Sequence, residues 1–371
     1  MTQDERLSAL LHWMDNEGWT ALVLLAGSAH SFIHPNPVVA VSGFRSVGPS
    51  AVLCRRDGTV TLWVSPAWEL ARARSNALAE QVVATDDVVA AMEPALRALG
   101  SQAIGLVGRE SWTHREWERL KAISPPLQPL DDAFFAHMGV KTAEELAAAE
   151  VAAHIAEAGY QHLLQVLKPG MPEYQVAAAL DRKMRELGAE DDFLLLSASQ
   201  HNRAVRAPGR RVIERGDILL AEISPAYRGQ FVQICRSVAV GRPQPAVQTA
   251  YACLARAFAA GRQAASPGRP VAEVADAINQ VLAEAGYGDY CRPPYMRVRG
   301  HGLGFSGVWP GDITPDNATR LAPDALFVLH PNQYLPESGY LLCGEPVVVT
   351  PSGARSMTTP KTMLDAVATT A

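Results

Sequence analysis

The stretch Gly300-His301-Gly302-Leu303-Gly304 places one histidine among three glycines, and it decides the fold prediction. Glycine lacks a Cβ, so a chain with glycine at alternate positions can pass close to another group. A histidine held on such a backbone is well placed to meet a metal ion or a substrate. The stretch therefore predicts a functional site around His301, to which residues on either side must contribute.

Composition indicates a compact enzyme rather than a nucleic-acid-binding or membrane protein. The 371 residues are 48% hydrophobic and 19% charged, which is enough for two domains with a sizeable core. The net charge of −5 gives no basic footprint for nucleic acid. No apolar run is long enough to span a bilayer, and the polar, acidic first residues are unlike a signal peptide. The five scattered cysteines match no disulfide or zinc framework, so we expect reduced thiols and a cytoplasmic location.

Hydrophobic periodicity divides the chain into an α/β first part and a longer second part. Helices alternate with strands up to about residue 131, and the prolines at 125, 126 and 129 mark the exit. The elements predicted for the second part are helices over 142–166, 173–187, 246–264 and 271–285, and strands over 193–197, 218–223, 230–240, 325–330, 340–343 and 345–350. The small, polar tail after Met363 is expected to be disordered.

The order of four landmarks resembles the pita-bread family, which includes methionine aminopeptidase, aminopeptidase P, prolidase and creatinase. The landmarks are Lys141-Thr-Ala-Glu-Glu145, Lys168-Pro-Gly-Met-Pro-Glu173, Gly216-Asp217 and the glycine-rich stretch at 300–304. The resemblance covers nearly the whole chain. It implies a creatinase-type α/β N-terminal domain over residues 1–135 and an α+β pita-bread catalytic domain over residues 141–371.

The resemblance also implies where a metal centre would lie. In the family, two aspartates, a histidine and two glutamates hold two divalent ions, and these positions fall here at Glu222, Gln233, His301, His330 and Glu345. An upstream histidine, usually a proton shuttle, falls at Val205, next to Arg206. The histidine seven residues beyond His301 falls at Val308. The implied site has therefore lost part of its acidic ligand set.

Spacing along the chain supports a shared site for the first two of these residues. Glu222 and Gln233 are equidistant from a Tyr227-Arg228 turn. In a regular hairpin this makes them a directly opposed pair, with Cβ atoms about 5 Å apart. Both side chains are then expected to point at one ligand from the same face.

The charges favour one divalent metal ion or none over a dinuclear centre. Two divalent ions carry four positive charges, whereas Glu222 and Glu345 supply two negative charges. His301, His330 and Glu345 form a 2-His-1-carboxylate set, which suits a single iron, manganese or zinc ion. The alternative is that no metal binds, as in creatinase within this family, and that His301 and Glu345 transfer protons.

Two functions stay open at this point. The first is a divergent creatinase- or aminopeptidase P-like enzyme that acts on a C–N bond of a small polar nitrogen-containing substrate, by hydrolysis or elimination. The predicted catalytic residues are His301, Glu345, His330 and Glu222. The predicted substrate-binding residues are Gln233, Tyr227, Arg206, Arg299, Phe44 and Arg45. The second function is a non-catalytic ligand-binding or scaffold protein on a retired peptidase fold. The resemblance also implies a homodimer, in which Phe44 and Arg45 of one subunit form a lid over the site of the other.

Overall fold

The computed structural model describes residues 3–27, 30, 32–100, 102–305 and 309–368. The chain divides into two compact units, residues 1–144 and 145–371, with Phe305 grouped with the first. Within the described ranges, no helix is both long enough and apolar enough to cross a membrane.

The first unit is a sheet with helices, as the alternating pattern predicts. Its helices are α1 (Gln3–Asn16), α2 (Pro37–Ser42), α3 (Leu70–Asn76), α4 (Val88–Arg97), α5 (His114–Ile123) and α6 (Asp131–Met138). Its strands are β1 (Ala21–Ala26), β2 (Ser50–Arg55), β3 (Val60–Val64), β4 (Gln81–Ala84), β5 (Ile104–Val107) and β6 (Gln128–Pro129), in the order β4-β3-β2-β1-β5-β6. Strand β1 is buried along its whole length because its six residues are all apolar and it pairs with β2 and β5.

The second unit combines long helices with two sheets. Its helices are α7 (Ala143–Val166), α8 (Glu173–Glu186), α9 (Pro245–Ala264) and α10 (Val271–Leu282). Its strands are β7 (Asp191–Ser199), β8 (Ile218–Tyr227), β9 (Gln230–Phe231), β10 (Ile234–Val240), β11 (Gly300–Gly302), β12 (Leu326–Leu329), β13 (Gln333–Leu335), β14 (Gly339–Leu341), β15 (Glu345–Thr350), β16 (Gly353–Ser356) and β17 (Asp365–Val367). The predicted helices therefore form, with ends that shift by a few residues.

The strands of the second unit build two sheets and a short hairpin. One sheet has the order β17-β10-β8-β7, with β9 paired to β8, and the other has the order β11-β12-β15-β16. Strands β13 and β14 pair only with each other among the described residues. Helix α9 packs on β12 and β16, which leaves the opposite face of that sheet to the candidate site.

The prediction of a disordered tail is wrong for the part that the structure describes. Residues Asp365–Val367 form β17, which pairs in parallel with β10. Tyr160 on α7 also donates a hydrogen bond to Asp365, with 2.6 Å between the two oxygen atoms. The polar composition of the tail gave no sign of this pairing, because a partner more than a hundred residues away supplies the hydrogen bonds.

Candidate active site

The candidate site lies where the two sheets of the second unit are joined by backbone hydrogen bonds. The amides of Phe231 and Gly304 each donate to the other's carbonyl at 3.0 Å. Cys235 and Gly344 exchange a second such pair, at 3.0 and 3.1 Å. Gln233 lies between these two connections. The strands that carry the predicted site residues therefore meet here.

The hairpin that carries Glu222 and Gln233 has a different register from the predicted one. Its two turn residues are Arg228 and Gly229, with φ of 46° and 76°, and positive φ at both positions is typical of a type I′ turn. The turn is centred one residue later than predicted, so Glu222 lies directly opposite Cys235 rather than Gln233. The predicted direct pair is therefore wrong. Gln233 stays on the same face, one diagonal step from Glu222, because the register moves by two residues.

Glu222 is a mostly buried carboxyl group with few polar contacts. Its strand neighbours are Leu195 on β7 and Cys235 on β10. Asn332 Nδ2 lies 3.4 Å from its Oε1 atom. Burial raises the pKa of Glu222 to about 7. The carboxyl group therefore changes its charge near neutral pH, which is the property that a general acid or base needs.

Tyr340 and Cys235 lie beside this carboxyl group and stay protonated at neutral pH. Burial raises the pKa of Tyr340, and the charge of Glu222 raises it further. Burial and the same carboxylate also raise the pKa of the Cys235 thiol. A thiol held in this form is a poor nucleophile, so Cys235 is better explained as a packing residue.

The two predicted site histidines, His301 on β11 and His330 after β12, lie together. Their ring centroids are 5.6 Å apart in an edge-to-face arrangement. His301 Nδ1 lies 2.9 Å from the carbonyl oxygen of Gly302, which fixes the proton on that nitrogen. Burial lowers the pKa of His301, and burial together with the neighbouring His301 lowers the pKa of His330 to about 3. Both imidazoles are therefore neutral at physiological pH.

Glu345 does not join this group, which corrects the prediction that it is a catalytic or metal-binding residue. Its two carboxylate oxygens accept hydrogen bonds from Arg236 Nη1 and Nη2 at 2.9 and 2.8 Å, and Thr358 donates a third at 2.6 Å. Arg236 follows Cys235 in β10, so its side chain points to the opposite face from Cys235 and Glu222. Glu345 is therefore half of a buried ion pair behind the site.

Gly344, which directly precedes β15, packs closely against His330. A Cβ atom at Gly344 would lie only 2.6 Å from the Cβ atom of His330. The position that faces His330 carries no side chain and no donor atom.

These residues do not fit the two-ion centre that the resemblance implies. Among the implied ligand positions Glu222 carries a carboxylate that has no cationic partner in the described structure, whereas three others carry the neutral imidazoles of His301 and His330 and the amide of Gln233. Among the described residues, no group of three or more His, Cys, Asp or Glu side chains is placed to hold a metal ion. Glu345 of the predicted single-ion set pairs with Arg236 in this structure, and binding of one divalent ion stays a prediction. The buried atoms Gln233 Oε1 and His330 Nδ1 find no hydrogen-bond partner in the described structure.

The side-chain charges set an upper limit on metal content. We expect at most one equivalent of divalent metal per chain after dialysis, because a single carboxylate cannot balance two divalent ions. Elemental analysis measures this, and two tightly held equivalents would contradict it.

In the variant Gln233→Asp/His330→Glu, two carboxylates return, so calorimetry should show tighter Mn²⁺ binding than in the wild type. The matched control Glu150→Gln changes a half-exposed carboxylate on α7 that pairs with Arg355, and it should leave Mn²⁺ affinity unchanged.

Two predicted substrate-binding residues have other roles. Arg299 is fully buried, and its guanidinium donates to Asn279 Oδ1, to the carbonyl of Asn332 and to Gln333 Oε1. It therefore holds the segment that carries Asn332 and does not face a ligand. Tyr227 lies at the hairpin turn, five residues from Glu222 on the same strand, so its side chain points to the other face.

The remaining predicted substrate-binding residues lie on two different units. Arg206 is exposed, and its carbonyl accepts a hydrogen bond from Leu196 of β7 at 2.9 Å, one strand away from Glu222. Phe44 belongs to the first unit and is only 2% exposed, with the Arg72 guanidinium 4.2 Å from its ring centre. A buried ring cannot serve as a lid, so that prediction is wrong for Phe44. The carbonyl of Arg45 accepts from Arg72 Nη2 at 2.6 Å. Val308 lies outside the described residues.

Sequence reasoning missed Asn332, Tyr340 and Tyr334. Asn332 accepts a hydrogen bond from the amide of Cys343 at 2.9 Å and reaches Glu222 with its nitrogen. Tyr334 and Tyr340 lie directly opposite each other in the β13–β14 hairpin. The signal available in the sequence was the turn Pro336-Glu337-Ser338 followed by Gly339, which brings the tyrosines on both sides onto one face.

Comparison with known proteins agrees with this architecture. The profile of metallopeptidase family M24 matches residues 147–351. The Xaa-Pro dipeptidase of Pyrococcus furiosus is 26% identical over 360 residues, covering 95% of this chain and 97% of that protein. An uncharacterized peptidase of Bacillus subtilis, YqhT, is 30% identical over 229 residues, covering 61% of this chain and 64% of that protein, which is less than two thirds of its length.

Solved structures show the same fold. The X-Pro aminopeptidase from Thermotoga maritima superposes with a TM-score of 0.84 at 22% identity, covering 97% of this chain and 99% of that one. An Xaa-Pro dipeptidase from Bacillus anthracis gives 0.82 at 22% identity, covering 99% of this chain and 100% of that one. The predicted pita-bread architecture is confirmed. The chain therefore belongs to metallopeptidase family M24, and it is a hydrolase of that family in which several of the implied metal-ligand positions are changed.

Proposed function

We propose that this enzyme hydrolyses a C–N bond of a small polar nitrogen-containing substrate, with Glu222 as the proton-transferring group in place of a two-metal centre. The observation that carries the proposal is a mostly buried carboxyl group whose side-chain contact is with the neutral amide of Asn332, and burial raises the pKa of this group to about 7. A carboxyl group poised near the working pH is an effective general base when ionised and an effective general acid when protonated. Few structural roles require such a group.

The arrangement around Glu222 suits hydrolysis. As a carboxylate, Glu222 takes a proton from a water molecule, whose oxygen then forms a bond to the carbonyl carbon of the substrate. The same proton passes from Glu222 to the nitrogen as the C–N bond breaks, so the carboxylate is restored. Asn332 orients the Glu222 carboxylate through its contact of 3.4 Å. In this proposal the neutral imidazoles of His301 and His330, whose ring centroids are 5.6 Å apart, bind polar atoms of the substrate.

The relatives suggest which substrates to examine first. The P. furiosus relative is named an Xaa-Pro dipeptidase and matches this chain over 95% of its length. Short Xaa-Pro peptides and N-acyl or N-carbamoyl amino acids all place a C–N bond next to a carbonyl group in a small polar molecule. We therefore propose these compounds as the substrate panel. The predicted homodimer stays a prediction.

A pH–rate profile tests the role of Glu222. With a substrate from this panel, kcat/KM should rise as the pH increases from about 5.5 to 8.5, with a midpoint near the pKa of about 7. The sign follows because Glu222 must be ionised to accept the proton of water. The variant Glu150→Gln is the control and should retain the profile. A flat profile across this range would contradict the proposal. Saturable binding without turnover of any panel compound would instead favour the non-catalytic alternative.

A further inference from the structure

A group of aromatic side chains lies next to the candidate site. The rings of Tyr295 and Tyr334 are stacked with centroids 5.4 Å apart, and Tyr290 lies 4.9 Å from Tyr295 and 6.0 Å from Tyr334. His201 meets Tyr334 edge to face at 5.7 Å, and its Nε2 is 3.2 Å from the Tyr334 hydroxyl. We call Tyr290, Tyr295 and Tyr334 the tyrosine cluster.

The tyrosine cluster is connected to Glu222 through one short segment. Tyr334 is two residues from Asn332, which contacts Glu222, and it lies directly opposite Tyr340 in the hairpin. Gln333 lies between Asn332 and Tyr334 in the sequence. Its side chain donates a hydrogen bond to the carbonyl of Tyr290 at 2.6 Å and accepts one from the buried Arg299. The segment that orients Glu222 therefore also positions the cluster.

The cluster is open to solvent rather than part of a core. Tyr295 keeps 40% of its surface exposed, and His201 is exposed as well. A Tyr295 ring held between Tyr290 and Tyr334 has lost much of its freedom to rotate. A further ring can therefore stack on it at a small entropic cost. A fixed, exposed aromatic surface beside a reacting group is typical of a side-chain subsite.

The charges around the cluster indicate what it binds. Arg297 is two residues after Tyr295 and Arg203 is two residues after His201, and both are exposed without an ion pair in the described structure. The nearby acidic residues are engaged, since Asp289 pairs with Arg292 and Glu337 accepts a hydrogen bond from Tyr287. Unpaired arginines disfavour a cationic ligand on these rings. They are compatible with a ring that is neutral or belongs to an anionic molecule.

We propose that the tyrosine cluster binds an aromatic side chain of the substrate whose C–N bond is cleaved at Glu222. The identity of the reacting bond rests on the proposed function, but the binding of an aromatic ring does not. The cluster then makes this enzyme prefer aromatic amino-acid derivatives over those with small side chains.

Equilibrium binding of two probes tests this preference without turnover. 3-Phenylpropanoate and propanoate differ only in the ring and contain no C–N bond to cleave, and calorimetry should show that the wild type binds the first about tenfold tighter. The variant Tyr295→Ala should reduce this ratio to about one. The variant Tyr334→Phe keeps an aromatic ring at position 334 and the Tyr295 ring that stacks on it, so it should retain the ratio of the two affinities. Tyr174→Ala removes a tyrosine that is 50% exposed on α8 and serves as the matched control.

The outcomes separate this proposal from the function proposed above. Equal affinity of the wild type for both probes, or an unchanged ratio in folded Tyr295→Ala, would overturn the aromatic subsite. The variant Glu222→Gln should lose turnover and keep the probe ratio, because Glu222 does not contact the ring. A preserved ratio together with undiminished turnover in Glu222→Gln would leave the subsite standing and refute Glu222 as the acid–base group.

Discussion

The variant Glu222→Gln is expected to lower kcat by about 10²–10⁴-fold, which is the usual contribution of a general acid or base. Glutamine has nearly the same size and can keep the contact with Asn332 but cannot take a proton from water. The contact with Asn332 involves one oxygen at 3.4 Å, so the local packing should survive. Steady-state kinetics on the wild type and on Glu150→Gln provide the comparison. A folded Glu222→Gln variant that retains full turnover would exclude Glu222 from the chemistry.

The same variant should be more stable than the wild type above neutral pH. Burial raises the pKa of Glu222 from 4.5 to about 7, so the folded state holds this proton across a range in which the unfolded chain has lost it. Stability from this group is therefore greatest at low pH and is lost as the pH rises through 7. The cost above that pH is about 3 kcal/mol, from about 1.4 kcal/mol per pKa unit. Glutamine removes this cost.

Urea unfolding at two pH values measures the effect on stability. At pH 8 the variant should gain up to about 3 kcal/mol over the wild type, and at pH 4.5 most of that gain should disappear. An equal difference at both pH values would mean that the carboxyl group has an ordinary pKa. A gain in stability together with a loss of turnover would show that the buried carboxyl group is kept for its function and not for the fold.

Replacing Arg236 by leucine is expected to destabilise the protein by about 3–5 kcal/mol, the usual result of leaving one member of a buried ion pair unpaired. Arg236 is fully buried, and Glu345 is only 1% exposed. The substitution leaves the Glu345 carboxylate with Thr358 as its hydrogen-bond donor. It also removes the Nη1 donor from the carbonyls of Gly344 and Cys235, which lie at 2.9 and 3.1 Å.

Chemical unfolding of a double-mutant cycle would isolate the pair. Arg236→Leu/Glu345→Leu should recover much of the loss, because no unpaired charge remains buried. The matched control is Arg355→Ala, which breaks a half-exposed ion pair with Glu150 and should cost less than about 1 kcal/mol. If Arg236→Leu cost no more than this control, the ion pair would contribute little to stability.

Much of the fold could be predicted because its helices and strands follow from local sequence patterns. The apolar run at residues 21–26 is a strand whether or not its partners are known. The helices at 143–166 and 173–186 follow from the capping residue Thr142, the alanine-rich run after it and the Pro-Gly break between them. The register of the hairpin was harder to predict. It depends on which two residues take positive φ, and the pair Arg228-Gly229 was displaced by one position from the predicted turn.

The site was harder to predict because it depends on the face of the strand to which each side chain points and on contacts between residues that are far apart in sequence. Glu345 seemed a site residue until the structure showed its carboxylate with Arg236, a contact between residues 109 positions apart. Glu222 was identified by its position, but its pKa follows from burial by strands that the sequence alone cannot place around it. The tyrosine cluster could not be predicted as a group for the same reason, because Tyr334 is far in sequence from Tyr290 and Tyr295.

The backbone bonds between Phe231 and Gly304 and between Cys235 and Gly344 have a consequence for how this enzyme can evolve. They are main-chain contacts, so they do not depend on which side chains stand at positions 222, 233 and 330. A substitution at these positions can alter the chemistry while the two sheets remain joined. The fold can therefore be retained while substitutions change the chemistry of the site. A protein with this fold can lose its metal ligands during evolution and stay folded at every step.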